Sequence, residues 1–249
     1  MLKEERFDLI LDELKKEKTV SYQTFAMLTR VSEDTIRRDI EYLYKNGLIS
    51  KVRGGAMLRS KDPLSFNERE TVSTKEKDII ALKAQRFIKN EMTIFLDGGT
   101  TVCAIVSHIS RDYHLRIVTN NPKLIPIVSD FPNIELILLG GKYYPNHAVT
   151  AGADTCLEVN NYTADLYFMG TCGIHPTNGA SAIYKEDAEV KRAMCKSAKK
   201  IIVLADKNKL RITETFKASD LENIDVLITD LSSDDNQLND FRDLDIQIV

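Results

Sequence analysis

Apolar positions in the first sixty residues recur at helical intervals. Phe7, Ile10, Leu11 and Leu14 fall on one face of a helix over residues 3–18, with charged residues opposite. A second helix opens at Ser21, whose hydroxyl suits an N-cap, and Val20 is placed to staple onto Phe25. The third position after that cap is Thr24, so a reciprocal capping box is absent. A third helix opens at Ser32, with Val31 and Ile36 in the staple positions and Ile36, Ile40 and Leu43 facing inward. Asn46-Gly47 ends it, Gly47 being a good left-handed cap. Residues 48–58 then read as two short strands around Arg53-Gly54-Gly55.

The pattern changes after a polar stretch, 59–74, that has one proline and no periodicity and reads as an interdomain linker. Beyond it, apolar runs of strand length alternate with helical segments at 93–97, 116–120, 135–140, 165–170, 200–206, 225–230 and 246–249. Continuous runs, rather than alternating ones, suit strands buried on both faces, hence a mostly parallel sheet covered by helices. The chain thus divides into a small domain over 1–58, the linker, and an α/β domain over 75–249.

Composition narrows the class. With 43% hydrophobic residues the chain can bury a core, yet no stretch approaches the ~20 apolar residues of a membrane span. The opening MLKEERFDLI is charged at once and has no apolar signal region, so a cytoplasmic protein is expected. Cys103, Cys156, Cys172 and Cys195 form no CxxC pair and no histidine pair has zinc spacing, so reduced thiols and no metal are expected. The net charge of −3 offers no global basic field. Residues 1–58 hold eleven Lys and Arg against ten Asp and Glu, so any nucleic-acid surface must be a local patch.

Such a patch is legible. Helix, helix, short turn, helix and a two-stranded hairpin is the layout of a winged helix-turn-helix, the third helix being the reader. Its outer face carries Asp34, Thr35, Arg38, Glu41 and Lys45, with Arg37 on the flank. A guanidinium there can pair with guanine O6 and N7 or clamp a phosphate. Ser32 and Thr35 can bond phosphates or base edges, and Lys51 and Arg53 on the wing would reach the DNA backbone or minor groove, Gly54-Gly55 allowing close approach.

In the larger domain, Asp97-Gly98-Gly99-Thr100-Thr101 joins a strand to a helix. Small residues there free backbone N–H groups to face an anion, reinforced by the helix dipole and the threonine hydroxyls. No Walker A or dinucleotide motif is present, and no cofactor is expected. Other strand ends, at Asn120, Gly141 and Cys172, should converge with it on one crevice beyond the carboxyl edge of the sheet. Lys191 on a following helix and Lys207 after a strand are candidate anion partners.

These stretches resemble a known family. Arg6, Ile10 and Leu14, then Ser32-x-x-Thr35-Ile36-Arg37-Arg38-Asp39-Ile40, look like the helix-turn-helix signature of DeoR-family bacterial transcriptional regulators, and NGLISKVRGGA (46–56) resembles the family's wing. IFLDGGTT, VTNN, LILLGGKYYPN, EDAEVKRAM and VLADKNK resemble its effector domain in order and spacing, so the likeness covers roughly residues 3–230. The resemblance implies operator DNA contacts at Thr35, Arg37 and Arg38, with Asp39 a structural partner of the arginines. It implies a C-terminal domain similar to ribose-5-phosphate isomerase that senses phosphorylated sugars or related metabolites. Gly99, Thr100 and Thr101 would hold the phosphate, and Asp97, Asn120, Lys191 and Lys207 would surround the sugar. Cys172 stands in a turn where the family often has Asp, a departure that removes a hydroxyl acceptor.

The expected protein is therefore a repressor of carbohydrate metabolism genes, relieved by a sugar phosphate and acting on symmetric operators as a homo-oligomer, a dimer or tetramer. The alternative is a sugar-phosphate isomerase with an appended winged helix, for which Glu186 or Glu189 would be the general base.

Overall fold

The computed structural model describes residues 3–17, 19–45, 48–52, 54–58 and 64–249, which form two compact units, Met1–Ser73 and Thr74–Val249. In the first unit, helices α1 (Lys3–Lys16), α2 (Tyr22–Thr29) and α3 (Glu33–Lys45) pack on a small sheet of β1 (Thr19–Ser21), β2 (Ile49–Val52) and β3 (Gly55–Leu58). The expected apolar faces meet there: Ile10, Leu14, Val20, Phe25, Ile36, Ile40, Leu43 and Ile49 are buried in one cluster. Ser21 caps α2 by accepting the Thr24 N–H at 3.0 Å, and Ser32 does the same for Thr35 at 3.3 Å.

Three features of this unit differ from the expectation. The sheet has three strands, because Thr19–Ser21 pairs antiparallel with β3 before capping α2. Gly55 serves that pairing, since a Cβ there would lie 2.2 Å from the Val20 carbonyl oxygen. The polar stretch read as linker holds a short helix, α4 (Phe66–Glu70), closed by a Ser65–Glu68 capping box with Phe66 buried. Gly47, Arg53 and residues 59–63 lie outside the described residues.

The second unit opens with α5 (Thr74–Ala84) and continues through β4 (Thr93–Leu96), α6 (Thr100–Ser107), β5 (Leu115–Thr119), α7 (Leu124–Val128) and β6 (Ile134–Leu138). A hairpin of β7 (Lys142–Tyr144) and β8 (Val149–Ala151) follows, then α8 (Ala153–Val159) and β9 (Leu166–Gly170). After β10 (Gly173–His175) and β11 (Gly179–Ala182) come α9 (Lys185–Lys196), β12 (Ile201–Leu204), β13 (Phe216–Ser219), β14 (Val226–Ile228), α10 (Asn239–Arg242) and β15 (Gln247–Ile248).

The seven apolar runs are the seven strands of one sheet, ordered β15-β14-β12-β9-β4-β5-β6 and parallel throughout. Successive residues alternate between two buried clusters, Phe95, Tyr167 and Val203 on one face and Ile94, Phe168 and Ile202 on the other. The antiparallel sheet β10-β11-β13 and the β7–β8 hairpin were not foreseen. Their strands are short and built from Gly, Ala and Ser or from polar residues, so they carry no apolar periodicity. Chain order reverses beside β4: the chain runs outward through β5 and β6, then returns to place β9 on the other flank. This switch point lies between the carboxyl ends of β4 and β9, the place where open α/β sheets bind ligands.

Candidate functional site

On the first unit, α3 presents its outer face beside the wing. Arg38 is exposed, and no hydrogen bond or ion pair engages it among the described residues. Arg37 is steadied, its guanidinium 4.6 Å from the Tyr22 ring centroid and 3.7 Å from Glu33. Asp39 is buried and partners Arg6 of α1, at 2.7 and 3.1 Å, rather than Arg37 or Arg38. Lys51 of β2 donates to Glu41 of α3 at 2.7 Å, a bond that holds the Lys51 ammonium above its ordinary value and ties wing to reader. Ser32 and Thr35 share a hydroxyl contact of 3.0 Å at the start of α3. Arg38 is thus the cation of this face that no acidic side chain pairs among the described residues, with Arg37 beside it held by Glu33 and Tyr22.

In the second unit the switch point is built around a buried charge. The Asp97 carboxylate, at the end of β4, is fully buried. It accepts the Lys191 ammonium at 2.6 Å, the Tyr167 hydroxyl at 2.7 Å and the Gly170 N–H at 2.9 Å. Lys191, on α9, is 3% exposed and also meets Asp187 at 3.3 Å. Burial disfavours its charge, but Asp187 and Asp97 outweigh that and hold the ammonium above its ordinary value. Burial, and then the Asp97 charge, raise the Tyr167 hydroxyl well above its usual range, so it stays a neutral donor. Sequence reasoning missed both Tyr167, which sits in an apolar run, and Asp187, whose four-residue spacing to Lys191 was the available signal.

Gly99, at φ +151°, caps α6, and neither the Thr100 nor the Thr101 hydroxyl is engaged by another described residue. The turn admits no side chain at Gly98, where a Cβ would sit 2.1 Å from Val149 Cγ1 of β8. Leu96 pairs with Thr119, so the end of β5 lies next to that of β4. There Asn120 is fully buried and donates through Nδ2 to the Thr150 carbonyl at 2.8 Å. Its Oδ1 has no hydrogen-bond partner among the described residues. A buried, unsatisfied acceptor costs about 1–3 kcal/mol, and a ligand donor would remove that cost.

Cys172 is half-buried in the turn between β9 and β10. Two expected residues stand apart. The Gly141 turn packs under α8: a Cβ there would meet Thr155 Oγ1 at 2.1 Å, and the neighbouring Gly140 N–H is donated to Glu158. Lys207 turns its ammonium to Glu76 at 3.5 Å and Asp230 at 3.9 Å, not to Asp97.

A winged helix-turn-helix in the same chain as an α/β unit with buried polar groups at its switch point fits the class of DNA-binding transcriptional regulators. Residues 6–62 match the DeoR-like helix-turn-helix domain, and residues 72–231 match the DeoR C terminal sensor domain. The HTH-type transcriptional repressor GlcR of Bacillus subtilis (strain 168) is 34% identical over 232 residues, covering 92% of this chain and 89% of that protein. The lactose phosphotransferase system repressor of Lactococcus lactis subsp. lactis is 30% identical over 97% of this chain and 96% of its own length. A ribose 5-phosphate isomerase A from Methanocaldococcus jannaschii overlaps 54% of this chain and 53% of its own at a TM-score of 0.40 and 16% identity. The chain belongs to the DeoR family of DNA-binding transcriptional regulators. No helix among the described residues is long and apolar enough to cross a membrane.

Proposed function

We propose that this regulator represses genes of carbohydrate metabolism in the cytoplasm, and that a phosphorylated sugar or related metabolite, bound at the switch point, controls it. Arg37 and Arg38, with Ser32, Thr35, Lys51 and Arg53 around them, meet operator DNA. Gly99, Thr100 and Thr101 take the phosphate, where the α6 N-terminus and two unengaged hydroxyls favour an anion. Asp97, Asn120, Cys172 and Lys191 face the sugar, while Gly141 and Lys207 keep structural roles in this reading. The observation that carries it is the buried, unpartnered Asn120 Oδ1 beside Asp97. Relief of repression requires the effector to bind the non-DNA-binding state more tightly, and symmetric operators call for a homodimer or homotetramer.

Binding without turnover is the favoured chemistry. A general base needs a free acceptor aimed at substrate, and Glu189, one of the two candidate bases, lies 3.7 Å from Lys185 instead. Melting of the purified chain against sugar phosphates, the parent sugars and inorganic phosphate, repeated with Thr100→Ala, tests the reading. One phosphorylated sugar should raise the melting temperature, and the variant should lose the shift. No shift with any phosphorylated ligand removes sugar-phosphate control, and steady conversion of one sugar phosphate to another puts an isomerase in its place.

A further inference from the structure

The groups around the switch point sort by charge and by hydrogen-bonding sense. Asp97 and Asp187 set two carboxyl groups against one ammonium, and Lys191 is the cation that touches either of them among the described residues. Burial raises the Asp97 carboxyl above its ordinary value, and the ammonium is already shared between the two acids, so the cluster has no positive charge to spare. The Asp187 side chain is 15% exposed, so its carboxylate is not sealed in as that of Asp97 is. Beside Asp97, at the next strand end, the Asn120 Oδ1 is an acceptor with no donor, its orientation fixed because Nδ2 is held by Thr150. Cys172, in the turn after β9, brings a thiol and no cationic group. The favourable place for an anion lies elsewhere, at Gly99–Thr101, where helix α6 begins.

Resting on the sugar-phosphate reading above, we infer that the crevice selects by charge at the end of the effector remote from phosphate. Asn120 and Asp187 form an acceptor wall that takes hydroxyl or ammonium donors and rejects a carboxylate. The effector is then a phosphorylated polyol, aldose or amino sugar, and the corresponding phosphorylated sugar acid is excluded. Asp187 becomes a specificity residue of the site. A carboxylate facing Asp187 would be desolvated beside a like charge, whereas a hydroxyl would satisfy Asn120 Oδ1.

Matched pairs that differ in one group test this. D-glucitol 6-phosphate and 6-phospho-D-gluconate differ as hydroxymethyl against carboxylate, as do α-D-glucose 1-phosphate and α-D-glucuronic acid 1-phosphate. Melting shifts of the full chain, converted to affinities, should favour the alcohol of a responding pair by about tenfold or more, a modest discrimination for one misplaced charge. Asp187→Asn should shrink that gap by admitting the acid, with Asp187→Ser as a second neutral variant if the first melts early. An acid that binds as well as its alcohol in the wild type, or a gap untouched by both variants, overturns the charge selection while leaving sugar-phosphate sensing in place. Silence from both pairs and from a wider set of sugar phosphates overturns that sensing and the selection with it.

Discussion

Arg6 of the first helix grips Asp39 of the third through two hydrogen bonds, immediately after the exposed Arg38 in sequence. The signature thus divides into a residue that holds the reading helix in place and residues free to meet DNA. Asp39→Ala should lower the stability of the N-terminal unit by about 1.5–3 kcal/mol, the range for hydrogen bonds to charged groups. Urea unfolding followed by circular dichroism measures it, and an unchanged midpoint would remove the clamp from the ledger of that unit.

Arg38→Ala should behave in the opposite way. Its side chain is exposed and unengaged, so stability should stay within about 0.5 kcal/mol of wild type. Operator affinity should fall by about 1–3 kcal/mol, with relaxed preference at one base pair if the arginine reads guanine. Titrations on the operator and on single-base variants separate base reading from phosphate contact, which would weaken all sequences alike.

Lys191→Ala would leave Asp97 buried without its cation. Breaking one side of such a pair costs about 3–5 kcal/mol. The double variant Lys191→Met with Asp97→Leu should recover much of that loss in stability while failing to bind effector. Thermal melts of the single and double variants check the coupling, and additive losses would show that the pair acts as two independent groups.

Acid stability should bear the mark of Asp165. Its carboxylate accepts Lys199 at 2.8 Å and the Thr93 N–H at 3.0 Å. The Lys199 bond first, then the backbone bond, hold it below its ordinary value of 3.8. A carboxylate depressed on folding contributes stability that is full above 3.8 and disappears as pH falls through the lower native value. Asp165→Asn should therefore flatten part of the stability loss between about pH 4 and pH 2. A variant whose acid limb overlays the wild type would contradict the assignment.

The parts legible in the sequence were those written in periodicity. All seven runs became strands of the parallel sheet, and those in its middle are buried on both faces, which demands an apolar composition. Both serine caps were readable because capping is local chemistry. The β7–β8 hairpin was not, because Thr150 joins it to Asn120 and Leu139 through contacts that leave no trace in spacing. Lys207, after a strand, and Lys191, on a helix, look alike in sequence as candidate anion partners. Their partners, Glu76 in one case and Asp97 in the other, lie more than ninety residues away along the chain and are set by the fold alone.

The reversal of strand order beside β4 has a consequence for how such a protein diversifies. The crevice exists because two strands part company, whatever their connecting turns contain. Stability resides in the strands and their two apolar faces, whereas the positions proposed for recognition, such as Gly99, Asn120 and Cys172, lie just past them. A lineage can therefore exchange one metabolite for another by rewriting turns, with the scaffold and its operator-reading partner inherited unchanged.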